Sequence, residues 1–117
     1  MSRYNIDLSD RLLEFAAAAI KLSSNIEKTY AGRYIAGQML RSASSAGANY
    51  EEACSAESRA DFIHKLQIVL KELRETVYWL RLSQRSGLLG SDEPLLETAR
   101  SLTNIIAKSI ITAKSNR

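Results

Sequence analysis

The sequence has few of the residues that interrupt helices or build covalent and metal-bound scaffolds. Its 117 residues include one Pro, five Gly, one Cys and one His. The single cysteine, Cys54, excludes an internal disulfide and a cysteine-based metal cluster, and it is typical of a reducing compartment. The chain is poor in the helix-breaking residues Pro and Gly and rich in helix-forming residues. The composition therefore predicts a small helical protein with no cofactor and no metal.

Long apolar runs are also missing. The longest, from Phe15 to Ile20, is far short of the ~20 residues that a membrane-spanning helix needs. The first ten residues, MSRYNIDLSD, have no apolar run behind a basic segment, so we expect no secretion signal. These features predict a cytoplasmic protein with one domain, residues 1–117. A net charge of +3 and a pI near 9.2 permit an anionic partner without requiring one.

Four segments carry apolar residues three and four positions apart, which places them on one face of a helix. The seams of the first and last segments are Leu8, Leu12, Phe15, Ala19, Leu22 and Ile26, and Leu95, Ala99, Leu102, Ile106, Ser109 or Ile110, and Ala113. The seam of the third is Ile63, Leu66, Leu70, Leu73, Val77 and Leu80, widened by Phe62 and Val69. No segment alternates as a strand does. The sequence thus predicts an all-α, antiparallel up-down-up-down four-helix bundle.

The second segment differs from the others because its packed face consists mostly of small residues. That face comprises Ala36, Met39, Leu40, Ala43, Ala46, Gly47, Tyr50, Ala53 and Cys54. Small side chains let a neighbouring backbone approach closely. Within this segment, RSASSAGA at 41–48 is weak as an isolated helix. We expect a continuous helix held by tertiary packing, with a break at this stretch as the alternative.

The helix boundaries follow from turn and capping residues. Helix one is expected to run to about residue 24, and helix two to begin near residue 32. Ser58-x-x-Asp61 matches a capping box and predicts the start of helix three, which Ser86-Gly87 ends. The expected caps at the two remaining starts are Asp7 or Ser9 for helix one, and Ser91 or Asp92, followed by Pro94, for helix four.

The third helix also carries a basic stripe at helical spacing. Its members are Lys71, Arg74, Tyr78, Arg81 and Arg85. These residues are candidates for a phosphate-binding surface on which Tyr78 stacks against a base. The alternative is a solvated face whose charge Glu72 and Glu75 partly offset. The cations Lys108, Lys114 and Arg117 would extend the patch if helix four lay alongside it.

A second apolar stripe on the same helix lies away from its core face. It consists of Ile68, Trp79 and Leu82. Three apolar residues in one line, with a Trp among them, favour a subunit interface over scattered exposed residues. Asn49 and Glu52 on helix two are candidates for a polar link to the neighbouring subunit. Glu72 and Glu75 flank the stripe and are candidates to pair with Arg41 or another base, within or between subunits, with solvation as the alternative.

The sequence carries no arrangement of residues that is typical of catalysis. His64 has no second ligand near it, and Cys54 has no visible base. There is neither a G-x-S-x-G elbow nor a Gly-rich phosphate loop. The carboxylates near the second connection, Glu51, Glu52, Glu57 and Asp61, are more typical of a solvated cluster than of a catalytic pair. We therefore predict a protein that is not an enzyme.

Four stretches together resemble a known family: LLEFAAAAIKLS at 12–23, QMLRSASSAGANYEEA at 38–53, DFIHKLQIVLKELRETVYWLRL at 61–82, and SIITAK at 109–114. The chain resembles, over residues 4–114, the small four-helix bundle proteins encoded in intervening sequences of bacterial 23S rRNA genes. The resemblance implies a homo-oligomer, a five-membered ring, and little about activity. The fold is also similar to that of the accessory proteins of diversity-generating retroelements, basic rings that bind nucleic acid and a reverse transcriptase.

These observations lead to an expected function. We expect a non-catalytic homo-oligomer that binds RNA, DNA or a nucleic-acid-handling protein through its basic stripe. The alternative is an oligomeric scaffold that binds a protein and no nucleic acid.

Overall fold

Four helices follow one another along the chain and pack as an antiparallel bundle. The computed structural model describes residues 3–116, with side chains from residue 7 onward. The helices are α1 (Arg3–Ser23), α2 (Tyr30–Cys54), α3 (Arg59–Arg85) and α4 (Leu95–Ser115). They run along the long axis of a molecule that extends 49 × 21 × 19 Å. This confirms the predicted all-α bundle, and the described part of the chain contains no strand.

The helix boundaries agree with the sequence at some ends and differ at others. Ser58 caps α3 by accepting a hydrogen bond from the backbone N–H of Asp61 at 3.1 Å, as the capping box predicts. Gly87 ends α3 with a φ of 80°, the left-handed conformation that glycine adopts without strain. Helix α2 begins at Tyr30, where the Thr29 side chain accepts a hydrogen bond from the N–H of Gly32. The continuous form of α2 is confirmed, because no break occurs at 41–48.

Two predicted caps are wrong. Helix α1 begins at Arg3, so Asp7 and Ser9 lie inside it. Helix α4 begins after Pro94, and the carboxylate of Glu93 accepts the N–H of Leu95 at 2.9 Å. Ser91 and Asp92 fall in the preceding turn. A glutamate directly before the proline can reach this N–H, so a shorter capping side chain further back is not needed.

The bundle core is formed by the predicted seams of α1, α2 and α4. The five seam residues of α1 and Ile26 just after it are buried, and so are Leu95, Ala99, Leu102, Ile106 and Ile110 on α4. Ala113, predicted to end the seam of α4, is only half-buried. The small-residue face of α2 brings α1 close: a Cβ added at Gly47 would lie 3.7 Å from the Cβ of Leu12. At the first connection the approach is tighter, because a Cβ at Gly32 would lie 1.7 Å from the carbonyl oxygen of Ile26.

The buried face of α3 is rotated about the helix axis relative to the core face that the sequence predicts. Its buried residues are Leu66, Val69, Glu72, Leu73, Thr76, Leu80 and Ser83. Ile63, Leu70 and Val77, predicted to lie in the core, are half-buried. The rotation turns α3 toward α2, where the hydroxyl groups of Ser42 and Thr76 share a buried hydrogen bond of 2.7 Å.

The four helix pairs are not equally close. Helix α2 packs most extensively on α3, and α1 meets α4 least. A groove of about 340 Å³ lies between α1 and α4, lined by Phe15, Ala18, Leu95 and Leu102 among others. Packing is therefore most extensive between α2 and α3 and least extensive where the first and last helices meet.

Candidate nucleic-acid and subunit interfaces

The predicted basic stripe forms the outer face of α3. Lys71, Arg74, Tyr78, Arg81 and Arg85 are all exposed, on the side of the helix that faces away from the core. We call these five residues the basic face. Among the described residues, none of its four cations forms a salt bridge. Helical spacing and burial of the opposite side thus present four cations and one tyrosine in a single line.

The carboxylates that were expected to offset this charge point elsewhere. Glu72 is buried, and its Oε2 accepts a hydrogen bond from Arg41 Nη1 at 3.0 Å. Arg41 also donates to Glu75, which confirms that both carboxylates pair with Arg41 across the α2–α3 contact. The hydrogen bond from Arg41 holds the pKa of Glu75 below its usual range, and the charge of Lys71 adds to this effect. Glu72 and Glu75 therefore pair mainly with Arg41, at the contact between α2 and α3.

Helix α4 contributes a further cation that the sequence analysis missed. Arg81, Arg85 and Arg100 line one recess of about 300 Å³ at the α3–α4 end of the bundle. Glu93 and Glu97 line it as well, and Arg100 pairs with Glu97 at 3.1 Å. The basic face therefore borders a recess of mixed charge at the end that Arg81 and Arg85 occupy.

The cations near the C-terminal end of α4 do not extend the basic face. Because α3 and α4 are antiparallel, Lys108 lies beside Phe62 and Leu66, at the far end of α3 from Arg85. Lys114 lies further still in that direction along α4. Arg117 is outside the described residues.

The second apolar stripe lies along the edge of α3 that faces α2. Ile68, Trp79 and Leu82 are half-buried, and Trp79 and Leu82 pack against the core. Trp79 makes edge-to-face contacts with Tyr34 and Tyr78, with ring centroids 6.0 and 5.1 Å apart. Its Nε1–H lies 3.4 Å from Glu75 Oε1, to which it donates a long hydrogen bond. Part of the apolar surface of Trp79 is therefore covered within its own chain.

The two polar candidates for the subunit interface already have partners in the same chain. The Asn49 amide donates to the carbonyl of Ser45 at 2.8 Å. Glu52 accepts a hydrogen bond from Lys65 at 3.2 Å, and its side chain is 62% exposed. The contact of Asn49 and Glu52 with a neighbouring subunit stays a prediction.

The residues weighed for chemistry do not come together. His64 is exposed, and burial raises the pKa of the Cys54 thiol above its usual value. Within the described chain, no group of three or more His, Cys, Asp or Glu side chains is placed to hold a metal ion. None of the described helices combines the length and apolar character needed to span a bilayer. The absence of enzymatic activity stays a prediction.

Comparison with known proteins assigns the family. The profile of the 23S rRNA-intervening sequence proteins matches residues 5–111. The chain belongs to this family. A crystal structure of a protein of unknown function from the S23 ribosomal protein family of Bacteroides thetaiotaomicron is 36% identical. It aligns with a TM-score of 0.82 over 88% of this chain and 97% of that chain. No curated protein matches.

The family assignment agrees with the resemblance seen in the sequence and with the observed bundle.

Proposed function

We propose that this member of the 23S rRNA-intervening sequence protein family is a non-catalytic homo-oligomer that binds RNA or DNA through its basic face. The observation that supports the proposal best is a line of four exposed cations without salt bridges. Phosphate backbones provide closely spaced negative charge, and cations that replace their counterions gain affinity from counterion release. Glu72 and Glu75, turned toward Arg41, oppose this attraction little.

Oligomerisation would place several copies of the basic face in one assembly. Four cations on one chain bind phosphate weakly at physiological salt, but copies joined in a ring present the same stripe several times. Once one copy has bound, the others bind at a high effective concentration. A five-membered ring, the assembly implied by the family resemblance, would therefore bind a long strand well without further contacts in each subunit. It would be expressed in the cytoplasm and require no cofactor.

A second candidate is an oligomeric scaffold that binds a protein, such as a nucleic-acid-handling enzyme, and no nucleic acid itself. It is favoured by one observation, the half-buried Trp79 beside exposed Tyr34 and Tyr78. Aromatic residues are enriched in the cores of protein interfaces.

Binding of labelled RNA at two salt concentrations tests the proposal. The variant Arg74→Gln/Arg81→Gln/Arg85→Gln should bind more weakly across RNA sequences. The slope of the logarithm of affinity against the logarithm of salt concentration should also decrease, by up to about three. The matched control is Arg33→Gln/Lys108→Gln/Lys114→Gln, which removes the same charge from exposed residues on α2 and α4. This control should stay close to the parent protein.

Two results would contradict the proposal. If the parent protein binds no RNA or DNA at low salt, the scaffold function is the better one. If the two triple variants lose affinity equally, binding depends on total charge, and the basic face has no special role.

A further inference from the structure

Three aromatic side chains form a cluster at the α2–α3 edge, directly beside the cations of α3. Trp79 lies between Tyr34 of α2 and Tyr78 of the basic face. We propose that this cluster, Tyr34, Trp79 and Tyr78, is a stacking platform for unpaired bases, so that the nucleic acid is single-stranded. The inference rests on the proposed function and specifies its ligand.

The exposure of the two tyrosines supports the inference. Tyr34 is 58% and Tyr78 is 56% exposed, although each is in edge-to-face contact with the indole ring. More than half of each side chain is therefore open to a ligand. Every base has a π-face, and stacking on an aromatic side chain stabilises a bound single strand without strict sequence preference.

The rings are also held in place before any ligand arrives. Trp79 packs against the core, and its indole N–H donates to Glu75. Glu75 in turn accepts from Arg41, whose other nitrogen holds the buried Glu72. The rings of Tyr34 and Tyr78 contact this fixed indole, so their conformational freedom is already reduced before a base stacks on them. Such preorganisation lowers the entropic cost of binding.

The surroundings of the cluster suit a polyanion better than an apolar partner. Tyr78 lies four residues after Arg74 and three before Arg81, on the same face of α3. On α2, three residues after Tyr34, Gly37 is exposed and leaves open space where a side chain would stand. A strand can therefore place phosphates on the cations of α3 while its bases reach the rings. Paired bases are stacked inside a duplex and cannot do so.

Three probes of equal length separate stacking from charge. They are a labelled oligodeoxythymidine of about 12 nucleotides, within the site sizes of single-strand binders, the same strand annealed to its complement, and an abasic strand with the same phosphates. The parent protein should bind the thymidine strand most tightly. Because the chain contains one Trp, its emission comes from Trp79 and should change with the thymidine strand but not with the abasic one.

Substitutions of the rings complete the test. Tyr34→Ala and Tyr78→Ala should each weaken binding of the thymidine strand about tenfold, the usual effect of losing one stacked base. Binding of the abasic strand should not change. Tyr34→Phe and Tyr78→Phe keep the ring and should bind as the parent does. The matched control is Tyr30→Ala, which removes an 82%-exposed tyrosine outside the cluster and should have less than about a twofold effect.

The outcomes distinguish this inference from the function on which it rests. If no probe is bound, the proposed function fails and the inference fails with it. If all three probes bind equally and only the arginine variants weaken them, the proposed function stands and the platform is disproved. If the tyrosine variants change the mass of the assembly and leave binding of the thymidine strand intact, the cluster is a contact between protein chains.

Discussion

Arg41 joins α2 to α3 through two carboxylates of different exposure. The side chain of Glu72 is 7% exposed and that of Glu75 is 29%, whereas Arg41 itself is 48% exposed. Ion pairs at the surface contribute little to stability, but a buried carboxylate that loses its partner is strongly unfavourable. The importance of Arg41 therefore depends on how deeply Glu72 is buried rather than on its own position.

We predict that Arg41→Ala lowers the free energy of unfolding by about 1–3 kcal/mol, because the buried Glu72 side chain is left without its hydrogen-bond partner. The matched control is Arg100→Ala. Arg100 is also 48% exposed, but its partner Glu97 is 79% exposed, so the change should stay within about 0.5 kcal/mol. Urea denaturation of the three proteins measures both values. Equal effects of the two substitutions would contradict the prediction.

The effect of Arg41 should also depend on pH. Arg41 holds the pKa of Glu75 below the ordinary value of 4.5. A carboxyl whose pKa is lower in the folded state contributes stability above its unfolded pKa and loses it as the pH falls through the folded pKa. The difference between the parent and Arg41→Ala should thus be complete at neutral pH and become smaller below about pH 4.5. A difference that is constant from about pH 7 to pH 3 would show that Arg41 acts only through packing.

Two glycines of α2 should respond to alanine in opposite directions. Gly37 is exposed inside the helix, and an added Cβ would touch nothing, so Gly37→Ala should stabilise the fold by about 0.5–1 kcal/mol. At Gly32 the Cβ would overlap the carbonyl oxygen of Ile26, so Gly32→Ala should destabilise it by more than that gain. Thermal unfolding measures both. Destabilisation by Gly37→Ala would indicate a neighbour that the single chain does not contain.

At the scale of helices, apolar spacing predicts α1 fully and α3 only in part. The five seam residues within α1 are all buried, and the buried hydroxyl of Ser23 donates to the Ile20 carbonyl of the same helix, so it needs no partner on another helix. On α3 the inner face includes Glu72 and Thr76, which hydropathy assigns to the surface. Their burial depends on Arg41 and Ser42, polar partners more than thirty residues earlier in the chain. A helix whose polar groups pair across a contact can turn them inward, and spacing on one helix cannot reveal this.

Spacing on a single helix also predicts only part of the candidate site. The cations of the basic face follow from helical spacing on α3 alone. Tyr34 and Arg100 were missed because their positions beside Trp79 and Arg81 depend on how the helices cross. One signal was present in the sequence: Tyr34 lies outside the small-residue face that α2 packs inward. Large aromatic side chains on the outer side of such a helix suggest contact with another molecule.

Unequal packing of the helices leads to a prediction about dynamics. Because α1 meets α4 least and a groove separates them, their amides should exchange with solvent faster than those at the centre of α2 and α3. Native-state hydrogen exchange resolves this helix by helix. Ala18→Leu, which adds apolar volume to the groove, should slow exchange in α1 and α4 and leave the centre unchanged. Slowest exchange in α1 of the parent protein would contradict this.

For the whole molecule, the two candidate surfaces cannot be treated as independent. The rings of Tyr78, on the basic face, and Trp79, on the apolar stripe, are 5.1 Å apart. A second copy that covered Trp79 would approach the cations of α3 as well. Assembly through Ile68, Leu82, Asn49 and Glu52 is compatible with nucleic-acid binding only if the contact leaves Tyr34 and Tyr78 open. The more exposed apolar residues lie elsewhere, with Leu13 66% and Ile20 60% exposed on α1.

This competition between surfaces makes the interface testable by one pair of substitutions. If copies meet along the α2–α3 edge, Ile68→Asp should reduce the mass measured by light scattering, because a carboxylate in an apolar contact is strongly unfavourable. Circular dichroism should show unchanged helix content, since Ile68 is only half-buried. The matched control is Leu13→Asp, at an exposed position on α1. A reduced mass for Leu13→Asp, with Ile68→Asp unaffected, would place the subunit contact on α1 and leave the whole α2–α3 edge free for nucleic acid.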